Sequence, residues 1–164
     1  MASVIHSRGE RSMRDLVNIE TGMINREVYT NEDIYRQELE QIFMRAWLFV
    51  GHESMVPNPG DFAASRMGEE EVLLVRSRTG AVNVFLNTCR HRGMKVCRYD
   101  QGNALVFSCP FHAWTYDTDG KLVGVGFQKQ AYGPDFDKSD WSLHKVAQVC
   151  TIYGSIWATW APKA

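Results

Sequence analysis

The stretch CRHRG at residues 89–93 places a cysteine and a histidine one residue apart, and CPFHAW at residues 109–114 offers the same two residue types again. As one pattern the sequence reads Cys-x-His, seventeen residues, then Cys-x2-His. Each pair directly follows a run of β-prone residues, so both pairs are predicted to lie at loop tips. Two adjacent loops of a β domain can bring four ligands together. Thiolate suits an iron-sulfur cluster or zinc, and imidazole suits either.

The sequence around these loops predicts a mainly β, antiparallel fold. The runs EEVLLVRS (70–77) and AVNVFLN (81–87) are rich in β-branched residues and are separated by Arg78, Thr79 and Gly80, which is a hairpin signal. Further short strands are predicted at residues 104–109, at 114–123, where the chain turns at Asp119-Gly120, and at 149–160. The polar stretch 128–140, which contains Gly-Pro, is predicted to be a surface loop.

One helix is predicted before the strands. Thr30 with Asp33 resembles an N-cap followed by an acidic first turn. Apolar residues then recur at helical spacing over roughly four turns. These residues are Tyr35, Leu39, Ile42, Phe43 and Ala46.

The expected domain organisation has three parts. Residues 1–28 are charged and lack a sustained period, so they are read as an extended or partly disordered lead-in. Residues 29–60 form the helix and a turn that pack on the domain. Residues 61–164 form the β domain that carries both loops.

Composition restricts the function classes. The chain has 164 residues and a net charge of −1, which gives no electrostatic reason to expect nucleic acid or an anionic membrane as a partner. The sequence starts without a signal-peptide pattern and contains no run of about 18 apolar residues, so a soluble cytoplasmic protein is expected. In that setting the four cysteines favour metal ligands or buried thiols over disulfides.

The mixing of cysteine and histidine in each loop bears on the metal. Structural zinc sites usually take cysteines at C-x2-4-C spacing and histidines at H-x3-5-H spacing, and the sequence has neither. A 2Fe-2S cluster with two thiolates on one iron and two histidines on the other fits the mixed loops. The pattern resembles the Rieske family, with a zinc-stabilised binding module as the alternative. The resemblance implies that Cys89 and Cys109 bind one iron, and that His91 and His112 bind the other through Nδ1.

A resemblance over a longer part of the sequence indicates which type of Rieske protein this is. Respiratory Rieske proteins carry an extra cysteine in each loop, but here Phe111 stands in the second loop and the first loop has no such cysteine. The stretches FMRAWLFVGHESMVPNPGDF (43–62), NTCRHRGM (87–94) and CPFHAWTYDTDGKLVGV (109–125) resemble the N-terminal half of the α subunit of Rieske non-haem iron aromatic-ring-hydroxylating dioxygenases. Ala113 departs from that pattern, since many members have glycine there.

This second resemblance implies a small antiparallel β-sandwich that holds a 2Fe-2S cluster and passes electrons to a mononuclear Fe(II), where O2 dihydroxylates an aromatic ring. The remaining histidines, His6, His52 and His144, form no plausible mononuclear site. The catalytic domain is therefore expected to be absent from this chain, which is read as a fragment. The implied partners are an NADH-dependent reductase, acting directly or through a ferredoxin, and other α subunits in a trimer, with or without β subunits. The competing interpretation is a stand-alone Rieske ferredoxin-type electron carrier.

Further residues around the expected cluster are given roles. Tyr116 is expected to reach a cysteine sulfur with its hydroxyl, as a tyrosine at this offset does in the respiratory Rieske proteins, against simple packing as the alternative. Trp114 is expected to act as a lid that shields the cluster, with an electron conduit as the alternative. Backbone amides placed to donate to the cluster sulfurs are those of Arg92, Met94, Phe111, Ala113 and Trp114.

Overall fold

The computed structural model describes residues 16–163, which form two compact units, residues 16–41 and residues 42–163. The first unit begins with a hairpin of two short antiparallel strands, β1 (Val17–Asn18) and β2 (Met23–Ile24). The predicted lead-in is thus partly ordered from residue 16 onward. Its residues 1–15 lie outside the described residues.

The N-terminal helix is present but differs from the prediction. Helix α1 spans Glu27–Thr30 and helix α2 spans Glu32–Glu38, and a π-helical turn follows at Leu39–Phe43. Asn31 rather than Thr30 is the N-cap of α2, because its side-chain oxygen accepts hydrogen bonds from two backbone N–H groups of the first turn. The predicted start at Thr30 was therefore wrong by one residue. The predicted four-turn α-helix is in fact the short helix α2 followed by a π turn, and helix α1 lies before the predicted start.

The second unit contains three antiparallel sheets within residues 42–163. Its strands are β3 (Leu48–His52), β4 (Asp61–Met67), β5 (Glu70–Arg76), β6 (Val82–Leu86), β7 (Gln101–Asn103), β8 (Val106–Ser108), β9 (Thr115–Asp117), β10 (Leu122–Gly124), β11 (Gln148–Ile152) and β12 (Ser155–Thr159). The four-stranded sheet has the order β6-β5-β4-β7, and the three-stranded sheets have the orders β11-β12-β3 and β10-β9-β8. The short helical elements are the 3-10 turns Glu53–Met55 and Lys138–Trp141 and helix α3 (Gln128–Ala131). The predicted mainly β, antiparallel fold class is confirmed.

Strand β5 is buried on both faces and separates two hydrophobic cores. Leu73 and Val75 face the core that contains both loop cysteines, which we call the loop-side core, whereas Val72 and Leu74 face the other. Successive side chains of a strand point to opposite faces, so the uninterrupted apolar run in β5 supplies both cores at once. The loop-side core positions the candidate site.

Two strand predictions need correction. The strand predicted at 104–109 is the shorter β8, which pairs with β9, and β7, which lies before it and pairs with β4, was missed. The single strand predicted at 149–160 is two paired strands, β11 and β12. Strands β3 and β4 were missed, since β3 follows the helical pattern directly and β4 reads DFAASRM, which is poor in β-branched residues.

The segment 128–140 is also more than the predicted surface loop. It contains helix α3 and the start of the 3-10 turn at Lys138–Trp141, and its aromatic residues Tyr132 and Phe136 pack against the loop-side core together with Trp141. Because the residues between these aromatic residues are polar, the sequence pattern did not indicate that one side of the segment is packed against the core.

Replacing Gly120 tests the turn between β9 and β10. Gly120 has a φ of +78°, and an added Cβ would lie 2.5 Å from Cε1 of the buried Phe85. We expect Gly120→Ala to lower the free energy of unfolding by about 3 kcal/mol, from backbone strain plus overpacking. Gly80→Ala is the control: its φ is +87° but its Cβ would meet nothing within 4 Å. It should cost only about 1 kcal/mol. Equal losses in urea denaturation would contradict the packing argument.

Candidate iron-sulfur site

The two Cys/His loops share one backbone design. In the first loop (residues 89–94) the Cys89 N–H donates to the Met94 carbonyl at 2.8 Å, and in the second loop (residues 109–114) the Cys109 N–H donates to the Trp114 carbonyl at 2.8 Å. In each loop the fifth residue also donates its N–H back to the cysteine carbonyl, at 2.9 and 3.0 Å. Each loop is therefore a closed hairpin-like turn that presents a cysteine at its base.

The fifth position of each loop adopts a left-handed backbone. Gly93 has a φ of +72° and Ala113 has a φ of +57°. Only glycine adopts this conformation without a steric penalty, because the Cβ of an L-residue crowds the backbone. The left-handed backbone at Ala113 explains why many members of the family that the sequence resembles have glycine at this position.

The side chain of Asn87 joins the two ends of the first loop by hydrogen bonds. Its buried side chain donates to the Cys97 carbonyl at 2.8 Å and accepts from the Cys97 N–H at 2.9 Å. These two hydrogen bonds join the residues on either side of the loop. Sequence reasoning missed this role, although Asn87 stands two residues before Cys89.

The structure brings the four predicted ligand residues together in two pairs. Cys89 and Cys109 are buried, at 2% and 3% exposure, and their thiols interact. The His91 and His112 rings lie edge to face, with centroids 4.7 Å apart. Both rings are half-buried, so the thiol side of the site lies in the core and the imidazole side lies nearer the solvent.

Burial determines the protonation of these groups in the metal-free chain. It raises the pKa of the Cys109 thiol, and together with smaller effects of His112 and Arg92 it lowers the pKa of His91. Burial thus favours the neutral thiol at Cys109 and the neutral imidazole at His91. A bound metal takes the thiolate form, so binding releases protons and strengthens as the pH rises.

The donor set fits a two-iron cluster. The Nδ1 atom of His112 is buried without a hydrogen-bond partner, which is costly unless the atom binds something. A Rieske cluster needs two thiolates at one iron and two imidazoles at the other, which matches the grouping of the two thiols and the two rings.

Tyr116 is fully buried and lies against the cysteine side of the site. Its hydroxyl oxygen accepts a hydrogen bond from the Arg90 N–H at 3.1 Å and lies 3.3 Å from Sγ of Cys89. Burial, and to a lesser degree Cys89, raises the pKa of Tyr116, so the phenol keeps its proton. Because the Arg90 N–H can only donate, the phenol proton is free to point at the sulfur.

The remaining predicted residues surround the histidine side. Trp114 is buried and stacks on His91, with ring centroids 4.9 Å apart and planes 11° apart. Arg92 is exposed, whereas Met94 packs against the loop-side core. The sequence reasoning missed Tyr132, whose hydroxyl contacts both Trp114 and His91. The sequence signal for Tyr132 was that an aromatic residue stands inside an otherwise polar stretch.

Replacing Ala113 tests the strained fifth position. We expect Ala113→Gly to raise the free energy of unfolding by about 0.5–1 kcal/mol, because relief of the left-handed strain exceeds the extra entropy of the unfolded chain. Ala147 is a matched control, since it is also exposed but lies outside the left-handed region. Ala147→Gly should lower stability by about 0.4–1 kcal/mol. A loss of stability at both positions, measured by urea denaturation, would contradict the strain argument.

An antiparallel β domain with two closed loops, each supplying one thiol and one imidazole, is a domain built to hold an iron-sulfur cluster with mixed ligands. Residues 46–149 match the Rieske 2Fe-2S domain family. The chain belongs to this family, as the sequence predicted.

Within this family, the chain is similar to α subunits of aromatic-ring dioxygenases. The chain is 47% identical over 150 residues to the α subunit of chlorobenzene dioxygenase from Cupriavidus sp. (strain PS12), covering 92% of this chain and 33% of the relative. It is 48% identical over 151 residues to the α subunit of biphenyl 2,3-dioxygenase from Rhodococcus jostii (strain RHA1), covering 92% and 32%. The chain spans about a third of the length of these relatives.

Solved structures give the same picture of the fold. Naphthalene 1,2-dioxygenase from Rhodococcus sp., bound to indole, superposes with a TM-score of 0.82 at 38% identity, covering 86% of this chain and 32% of that one. The quaternary ammonium Rieske monooxygenase CntA in complex with L-carnitine superposes with a TM-score of 0.76 at 28% identity, covering 85% and 39%. Among residues 16–163, no helix is long and apolar enough to cross a membrane.

Proposed function

We propose that this chain is the Rieske electron-transfer part of an aromatic-ring-hydroxylating dioxygenase α subunit. The observation that carries the proposal is the pair of identically closed loops, which pairs the thiols of Cys89 and Cys109 and the imidazoles of His91 and His112. In this proposal the thiolates hold one iron and the imidazoles hold the other. When bound, such a cluster takes up and passes on one electron at a time, at a higher potential than an all-cysteine cluster.

The residues of the chain control access to this site. The buried cysteines and Trp114 exclude water from the core side, which favours a stable cluster. The half-buried histidines form the side nearer the solvent. Electron exchange with a partner is therefore proposed to take place on the histidine side.

The wider activity is proposed from the relatives. Chlorobenzene, biphenyl and benzene dioxygenase α subunits support a role in adding O2 to an aromatic ring, with a mononuclear Fe(II) in a separate catalytic domain. The proposed partners are a reductase, acting directly or through a ferredoxin, and other α subunits, with or without β subunits. The proposed location is the cytoplasm. These relatives favour the α-subunit interpretation over the stand-alone carrier. A similar α subunit belongs to an N,N-dimethyl phenylurea N-demethylase, so likeness in this region does not fix the substrate.

Cysteine replacement combined with spectroscopy tests the ligand set. We expect the purified chain to contain two irons and two sulfides and to give, after reduction, the rhombic EPR signal of an imidazole-ligated cluster. Cys89→Ser and Cys109→Ser should each lose this signal, because an iron then lacks a thiolate. Cys150→Ser is the control and should keep it, since Cys150 lies on β11, outside both loops.

A single bound zinc with no sulfide would contradict the electron-transfer function and would support a structural metal clasp. Retention of the full signal in both loop variants would contradict the proposed ligands. Iron, sulfide and zinc are therefore assayed on the same sample as the EPR spectrum.

Replacing Tyr116 tests the hydrogen bond to sulfur. We expect Tyr116→Phe to lower the midpoint potential by roughly 30–60 mV, because a donor to sulfur stabilises the more negative, reduced state. Tyr153→Phe is the control, since Tyr153 is 99% exposed. If protein-film voltammetry finds the same midpoint potential in Tyr116→Phe, the hydrogen bond to sulfur is contradicted and Tyr116 only packs in the core.

A further inference from the structure

The side chain of Arg90 joins the first loop to the segment that follows the 3-10 turn at Lys138–Trp141. Its guanidinium is in hydrogen-bond contact with Nε2 of His144, and its Cζ lies 5.9 Å from the ring centroid of Trp141. Its Nε is buried and has no hydrogen-bond partner. Among residues 16–163, His144 is the hydrogen-bond partner of this guanidinium, and no carboxylate pairs with it.

The chemistry of the two groups fixes the direction of this hydrogen bond. A guanidinium has only N–H donors and is not deprotonated in proteins, so Arg90 donates. Nε2 of His144 therefore accepts, which requires a neutral ring with its proton on Nδ1. An imidazolium has no lone pair on either nitrogen. Protonation of His144 thus removes the hydrogen bond and places two cations in contact.

The charges around His144 favour the neutral ring. Partial burial, and then the charge of Arg90, lower the pKa of His144, and within the described part of the chain no other charged group acts on this ring. The neighbouring cations face elsewhere: Lys145 donates to Oδ1 of Asn83 at 2.7 Å, and Lys138 donates to a backbone carbonyl of β10 at 3.3 Å. At neutral pH the ring is therefore able to accept.

Both partners of this hydrogen bond are anchored near the site. Arg90 stands between the two expected ligands of the first loop, and its backbone N–H donates to the Tyr116 hydroxyl oxygen at 3.1 Å. The His144 carbonyl accepts from the Leu86 N–H at 2.8 Å, at the end of β6 that leads into the same loop. The side-chain contact thus ties the loop to a segment that β6 already holds.

We propose that His144 is a positioning residue that fixes the first loop by accepting a hydrogen bond from the Arg90 guanidinium. This inference deepens the proposed function and rests on it for its effect on the cluster. Because the pKa of His144 is lowered in the folded chain, the unfolded chain binds the proton more readily. The stabilisation is then lost as the pH falls below about 6.5, the ordinary histidine value. Retention of the cluster should weaken with it.

The first test titrates the histidines of the metal-free chain by NMR and needs no cluster. In the wild-type chain the pKa of His144 should lie below about 6.5. Arg90→Gln removes the cation, so the pKa of His144 should rise toward that value. Arg78→Gln is the control, because Arg78 is exposed on the turn between β5 and β6, at the other end of β6 from the first loop. It should leave the pKa of His144 unchanged.

The second test uses the chain with its cluster and compares two replacements of His144. The amide oxygen of glutamine accepts a hydrogen bond but is not protonated, whereas alanine offers no acceptor. Loss of cluster absorbance in dilute urea is followed at about pH 8 and about pH 5, on either side of the ordinary histidine pKa. At the higher pH, His144→Ala should lose the cluster about fivefold faster than wild type and His144→Gln. At the lower pH, wild type should lose it faster than His144→Gln.

Two results would overturn the inference. One is a His144 pKa that is the same in Arg90→Gln as in wild type, and the other is a wild-type chain that loses its cluster no faster than His144→Gln at the lower pH. Thermal denaturation shows whether each variant keeps its fold. If the wild-type chain forms no 2Fe-2S cluster, the proposed function fails, while the NMR titration still decides whether Arg90 and His144 interact.

Discussion

The hydrogen bond from the cysteine N–H to the carbonyl five residues later is the constraint on which the site depends. It closes the first loop through Cys89 and Met94 and the second through Cys109 and Trp114. Closing a loop this tightly forces a left-handed residue at the fifth position, and it turns the cysteine side chain into the core. The loops can then supply paired thiols and paired imidazoles although seventeen residues separate His91 from Cys109.

The sheets carry these loops because of where the strands end. Strand β6 leads into the first loop, while β8 and β9 flank the second. Phe85 on β6 and Tyr116 on β9 share the loop-side core, so packing of that core fixes the bases of both loops together. Burial of the cysteines within the same core then raises the pKa of Cys109. Burial therefore disfavours the thiolate form in the metal-free chain, and a bound metal would offset this cost.

Much of this architecture was predictable because it follows local rules. The hairpin of β5 and β6 was visible in its β-branched runs around Gly80, and the loops were visible in the spacing of cysteine and histidine. The missed features depend on contacts distant in sequence. Strand β4 is poor in β-formers and is stabilised by pairing with β5 and β7. Tyr132 lies forty-one residues from His91, in a segment whose polar residues dominate the pattern.

A tyrosine hydroxyl contacts each side of the site. On the buried side the Tyr116 oxygen is engaged by a backbone N–H, so its proton is directed at Cys89. On the side nearer the solvent the Tyr132 oxygen is engaged by the Trp114 N–H and faces the His91 ring. In both cases a group that can only donate first occupies the phenol oxygen. That first hydrogen bond orients each hydroxyl in the folded chain and leaves its proton free for the neighbouring side chain, Cys89 or His91.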